Sequence, residues 1–145
     1  MSAHGYSVKI IETRDQLPSR DRIGAVFLVA FSDGKVLSVR NERGWDVPGG
    51  HLEGEENILD GLRREIDEEA GAVFQSAEPY AVLSSQKSSR VMVFFAAPSC
   101  RLETFTSSED ALERDLLPAG ELLSRYHGDK VLLSQLLEEA QKKIS

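Results

Sequence analysis

The chain has 145 residues, 41% hydrophobic and 28% charged, with a net charge of −7. These proportions fit one globular domain over residues 1–145 and favour neither a disordered nor a fibrous chain. The negative charge excludes an extended basic surface for nucleic acid, although a local arginine cluster can still hold a phosphate.

Met1 to Tyr6 lacks the basic then apolar layout of a signal peptide, and no apolar run approaches the roughly 18 residues needed to cross a bilayer. The expectation is a cytoplasmic protein with no membrane partner. Val8 to Ile11 is a short β-prone piece, and Ile23 to Phe31 (IGAVFLVAF) is an apolar run of the kind that becomes a buried strand. Ser32-Asp33-Gly34 supplies a tight turn into Val36 to Val39, which together predict a hairpin. Arg43 to Glu53 is broken by Gly44, Pro48, Gly49 and Gly50 and reads as a shaped loop. From Asn57 to Ala70 the apolar residues Ile58, Leu62 and Ile66 recur every four positions, which predicts a helix capped by Asn57 and stopped at Gly71. Tyr80 to Ser84 and Arg90 to Ala97 predict a second hairpin around the polar tip Ser85 to Ser89. Cys100 is the lone cysteine; no intramolecular disulfide or cysteine-rich zinc site can form, and it reads as small apolar filler. A further extended stretch near Arg101 to Phe105 precedes an amphipathic helix from Val131 to Lys143, set by Val131, Leu132, Leu136 and Ala140. The fold class is α/β in the broad sense, an α+β mixture of sheet and a few helices.

Eight carboxylates crowd Glu53 to Glu69 against only Arg63 and Arg64. At about 100° per residue, Glu65 and Glu69 lie within a few tens of degrees of Ile58 and Leu62, with Glu68 roughly 60° away from Glu65. Two of the three therefore border the apolar stripe that faces the protein. Asp67, Glu68 and Glu69 also occupy the last turn, where the helix dipole disfavours anions, and Glu65 and Glu69 repel at i,i+4. A helix built only for stability would avoid this. Hard oxygen ligands converging from one helix face suit Mg²⁺ or Mn²⁺; a solvated acidic face neutralised by Arg63, Arg64 and nearby lysines is the other reading.

The segment GHLEGEENILDGLRREIDEEAGA, Gly50 to Ala72, resembles the box of the Nudix hydrolase family. The matching positions are Gly50, Glu56, Arg64, Glu65, Ile66, Glu68, Glu69, Gly71 and Ala72. Chance agreement of the seven fixed residues at one starting point is on the order of 10⁻⁸ to 10⁻⁹. The approach Trp45-Asp46-Val47-Pro48-Gly49 is similar to that of MutT-type members. Two departures stand out: the final aliphatic is only Ala72, and the glycine that often precedes the first box glutamate is displaced to Gly54.

The resemblance implies an α/β/α sandwich with a mixed central sheet, and a metal-dependent hydrolase of the phosphoanhydride linkage in a nucleoside diphosphate joined to a group X. Glu65, Glu68 and Glu69 are then metal ligands and catalytic carboxylates, with the Gly49 carbonyl as a further ligand and Mg²⁺ as the ion, Mn²⁺ substituting. Glu65 or Glu69 is a candidate general base, as is Glu109 on a later loop, with Glu113 behind it. Gly50, Glu56, Arg64 and Gly71 take structural box roles. Arg40 and Arg43 are candidates to grip substrate phosphates, or are merely solvated. His51 follows the glycine pair and is either near substrate or exposed; His4 and His127 carry no signal. Trp45, Phe94 and Tyr80 are candidates to stack on a base or to fill the core.

The implied substrate is a small nucleotide-like molecule: first a (d)NTP, including oxidised forms, then nucleotide sugars, dinucleoside polyphosphates and RNA 5′ ends. Glu103 to Tyr126 shows no signature that chooses among them. A non-catalytic nucleotide-binding module of the same fold is the alternative class, and the intact charged positions of the box weigh against it. An isoprenoid isomerase of related fold would require more cysteine and metal-ligand residues than this chain holds. Homodimers are common in the family.

Overall fold

In the computed structural model, which describes residues 2–3 and 5–145, the chain forms eleven strands and three α-helices among the described residues. His4 lies outside them. The strands are β1 (Ser2–Ala3), β2 (Tyr6–Ile10), β3 (Ile23–Ser32), β4 (Lys35–Asn41), β5 (Gly44–Asp46) and β6 (Gly49–His51), followed by helix α1 (Ile58–Ala70). There follow β7 (Ala72–Val73), β8 (Glu78–Ser85), β9 (Val91–Ala97), β10 (Arg101–Leu102), β11 (Glu113–Leu117), α2 (Ala119–Arg125) and α3 (Lys130–Ile144).

The main sheet runs β1-β2-β8-β9-β3-β4-β11, with β5 beside β4 and β6 beside β3. It is mixed: β3 and β9 pair in parallel, while β2, β4, β6 and β8 join their neighbours antiparallel. A separate ribbon pairs β7 with β10.

Alternation along β3 divides the interior into two layers. Val26, Leu28 and Ala30 turn to one face with Leu62, Ile66 and Ala70 of α1. Val29 and Phe31 turn to the other with Leu122 of α2 and Leu132, Leu133, Leu136 and Leu137 of α3. A strand covered on both faces needs no polar positions, which is why IGAVFLVAF reads as a continuous apolar run. Tyr80, 1% exposed, crosses from β8 to α3 and donates its hydroxyl to the Leu136 carbonyl at 2.8 Å.

The first hairpin turns through Asp33 and Gly34, both at positive φ, 49° and 77°, the conformation that matches the twist of a two-residue β-turn. The stretch from Arg43 to Glu53 departs from its reading as a loop. It holds β5 and β6, short strands that glycine makes feasible, because a side chain at Gly49 would collide with the Val26 carbonyl and Phe27 Cα of β3. In α3 the buried stripe begins at Leu132; Val131 is 64% exposed, since Asp129 caps the helix there through Val131 N and Leu132 N. Neither β11, a mostly polar edge strand, nor the seven-residue α2 carries a periodicity visible in the sequence.

Candidate active site

The box helix is held at both ends. Asn57 Oδ1 accepts from Leu59 N at 2.9 Å. At the other end Gly71 adopts φ 57° and ψ 43°, and a side chain there would strike the Thr104 carbonyl. Gly71→Ala is expected to cost about 1–2 kcal/mol from the left-handed backbone alone. Its melting temperature is expected to fall by roughly 2–8 °C, measured by thermal unfolding. With Leu62 and Ile66 anchored in the core, the remaining register carries Glu65 and Glu69 toward β6.

Contact there is close. Gly49 N donates to Glu69 Oε1 at 3.2 Å, and any side chain at Gly50 would collide with the Glu65 carboxylate. Arg64 binds the loop and the helix together. Its Nη2 and Nε reach Glu56 Oε1 and Oε2 at 2.7 and 3.1 Å. Nη1 donates to Glu65 at 3.0 Å and to Glu68 at 3.2 Å, and Nη2 also donates to the His51 carbonyl. This guanidinium holds the Glu56 carboxyl down to about 2.

A cleft of about 630 Å³ opens beside this joint. Its wall includes Gly49, Gly50, His51 and Arg43, the apolar Phe27, Val39 and Val47, and the carboxylates Glu42, Asp46, Glu53, Glu65, Glu69, Glu109 and Asp110. Burial pushes Glu69 up to about 8, with Glu65, Asp46 and Asp110 adding to the rise against the Gly49 amide. Burial also raises Glu65, against the nearby Arg64, and pushes Asp46 up to about 6.

Other residues singled out in the sequence lie elsewhere. Glu68, with its side chain 60% exposed, rests on Arg64 and is not part of the cleft wall. Arg40 pairs with Glu113 across β4 and β11 at 3.1 Å, and neither belongs to the cleft wall. Trp45, Tyr80 and Phe94 are buried in the α3-side core. The aromatic ring in the cleft is Phe27, stacked on Phe94 at 5.1 Å. Sequence reasoning missed Phe27, Asp46 and Asp110. For Phe27 the alternation of β3 gave a signal, since it falls on the α3 side yet at the strand's β6 end; Asp46 lay inside the quoted Trp45 to Gly49 approach without a role.

The donor set suits a hard divalent cation. Glu69 is surrounded by negative charge and Glu65 is neutralised from one side by Arg64, so a cation in the cleft would relieve a repulsion that the fold maintains. Among the described residues, no three carboxylate, histidine or cysteine side chains already close on one point. The carboxylates line a shared wall and do not form a preformed cage.

With this geometry in place, comparisons with known proteins agree on the class. A model of the NUDIX domain matches residues 20–135. A search of curated proteins gives no match. The structure superimposes on the Bacillus subtilis pyrophosphohydrolase BsRppH with a TM-score of 0.73 at 21% identity, covering 96% of this chain and 90% of that one. A NUDIX hydrolase from Nitrosomonas europaea gives 0.68 at 26% identity, covering 81% and 69%. A MutT protein from Methanosarcina mazei Go1 gives 0.63 at 18%, covering 83% and 94%. The layered fold, the glycine-lined cleft and the matched domain together define a hydrolase of phosphoanhydrides, and the chain belongs to the Nudix family.

Proposed function

We propose that the cleft hydrolyses the diphosphate linkage of a nucleoside diphosphate joined to a group X, with a (d)NTP or an oxidised (d)NTP as first candidate substrate. The observation that carries this reading is the pair Glu65 and Glu69, drawn together beside Gly49 on the wall of a cleft large enough for a nucleotide. Glu65, Glu69 and the Gly49 carbonyl would hold Mg²⁺, with the exposed Glu68 as a further ligand. When bound, the ion neutralises phosphoryl oxygens and lowers the pKa of a water ligand.

The remaining work falls to the chain itself. Arg43 on the cleft wall can take phosphate oxygens through charge-assisted hydrogen bonds, and Phe27 offers an aromatic face to a base. The attacking water forms a bond to phosphorus as the bridging P–O bond breaks, and its proton passes to a carboxylate. Glu109 on the cleft wall is the first choice for that base, with Glu65 and Glu69 the others. The solved neighbours include MutT proteins, a pyrophosphohydrolase and an ADP-ribose pyrophosphatase from Streptococcus suis; at such low identity they support the fold and leave X to experiment.

The test is a panel of nucleoside triphosphates, nucleotide sugars, dinucleoside polyphosphates and 5′-triphosphate RNA, each with Mg²⁺, Mn²⁺ or EDTA, with products separated by chromatography. Metal-dependent release of a nucleoside monophosphate, abolished by EDTA, is the expected result. If nothing is cleaved while a nucleotide still raises the melting temperature, the protein is a binding module and the proposal fails.

A further inference from the structure

Helix α1 ends with Asp67, Glu68 and Glu69 in its last turn and no basic residue of its own there. The compensating cation comes from β11. Arg114 Nη1 donates to three carbonyls: Ala70 at 3.1 Å, Gly71 at 2.9 Å and Glu103 at 2.8 Å. Its guanidinium also lies 5.4 Å from the Phe105 ring centre. Ala70 directly follows Glu69, and Glu103 opens the segment 103–112 that brings Glu109 and Asp110 to the cleft wall. The start of that segment is bound to the helix end a second time, through Glu103 N and the Gly71 carbonyl at 2.7 Å. Its far end is tied separately, by Leu112 N to the Arg40 carbonyl at 2.7 Å and by the Ser108 to Ala111 turn. One side chain thus joins the end of the carboxylate helix, the beginning of the loop facing it, and the strand that follows the loop.

We propose that Arg114 is a positioning residue: it sets the distance between Glu69 and the Glu109-Asp110 pair by clamping the loop onto the C-terminal end of α1. The proposal rests on the reading that these carboxylates share one active site. Two physical effects reinforce each other in the clamp. A cation at a helix C-terminus stabilises the dipole that the three acidic residues oppose, and a charged donor is strong enough to hold several carbonyls at once. Arg114 is not part of the cleft wall, so its influence reaches the reaction through the placement of other groups.

The first measurement is amide hydrogen exchange on the wild type and Arg114→Met. Faster exchange in 103–112 and in the last turn of α1, with β9 unchanged, is expected; equal exchange in 103–112 overturns the proposal. The second is a kinetic cycle with Glu109→Gln/Asp110→Asn, on the substrate the panel selects. Arg114→Met is expected to lower kcat by about 10-fold or more, the scale of a small misplacement of reacting groups, with KM unchanged. It is expected to add nothing further in the Glu109→Gln/Asp110→Asn background. Losses that multiply across the cycle would mean that Arg114 acts independently of the loop, and overturn the proposal. Should Arg114→Met fail to fold, Arg114→Lys carries both readouts, because it keeps the charge at the helix end and changes the donor geometry. A wild type that cleaves no member of the panel counts against the hydrolase reading, and the exchange result still decides whether Arg114 anchors the loop.

Discussion

Glu69→Gln is expected to lower kcat/KM by about 10²- to 10³-fold, the loss usual when one preorganised group stabilising transition-state charge is removed. The same substitution is expected to raise the stability of the metal-free protein at neutral and alkaline pH. The sign follows from proton linkage. Burial and three neighbouring carboxylates lift Glu69 from an ordinary 4.5 to about 8, so the folded state holds a proton that the unfolded chain has already lost. Stability is therefore fully present below about pH 4.5 and declines as pH rises toward 8. Glutamine cannot ionise, so the variant lacks this decline and its melting temperature should exceed the wild type's at pH 8 and match it near pH 4.5. Adding Mg²⁺ should raise the wild-type melting temperature most at pH 8, where the carboxylate is available, and raise the variant's much less. Thermal unfolding at several pH values, with and without Mg²⁺, measures all of this. A variant with wild-type activity and an unchanged response to Mg²⁺ would remove Glu69 from the site.

The helix face that carries Glu69 was legible in the sequence, whereas much of what surrounds it was not. Glu65 and Glu69 could be placed on the protein-facing side of α1 because a helix of fixed pitch ties them to Ile58, Leu62 and Ile66, and the caps Asn57 and Gly71 bound it. The β3-β4 and β8-β9 hairpins were legible for a local reason too, since each is a pair of apolar, β-prone runs broken by turn residues. What local patterns could not show was proximity between distant segments. Gly49 and Gly50 looked like loop formers, whereas the missing side chain at Gly49 lets β6 lie against β3 and that at Gly50 leaves room for the Glu65 carboxylate. Arg40 and Arg43 are equivalent candidates in the sequence, three residues apart. The register of β4 against β11 pairs Arg40 with Glu113 and leaves Arg43 on the cleft wall. The acidic end of α1 looked unbalanced because its cation, Arg114, is 43 residues beyond Gly71.

Arg64 is where loop and helix are joined, and Arg64→Met is expected to weaken divalent-metal binding or activity by about 10- to 100-fold, as for other residues that orient metal ligands. Arg64→Lys should restore little of this, because an ammonium cannot reproduce the two-point bond to Glu56 at 2.7 and 3.1 Å while also reaching Glu65 and Glu68. A pH signature separates this role from a general loss of folding. Arg64 holds Glu56 at about 2 against an ordinary 4.5, so the pair stabilises the fold fully above about pH 4.5 and loses that contribution as pH falls toward 2. The gap in melting temperature between wild type and Arg64→Met should then be widest above pH 4.5 and narrow on acidification. Manganese titration followed by electron paramagnetic resonance gives the metal affinity, and unfolding curves across this pH range give the gap. A gap that stays constant down to pH 2, with manganese affinity intact, would show that Arg64 neither holds Glu56 ionised nor orients Glu65. Glu65 would then owe its position to Gly50 and the core residues of α1 alone.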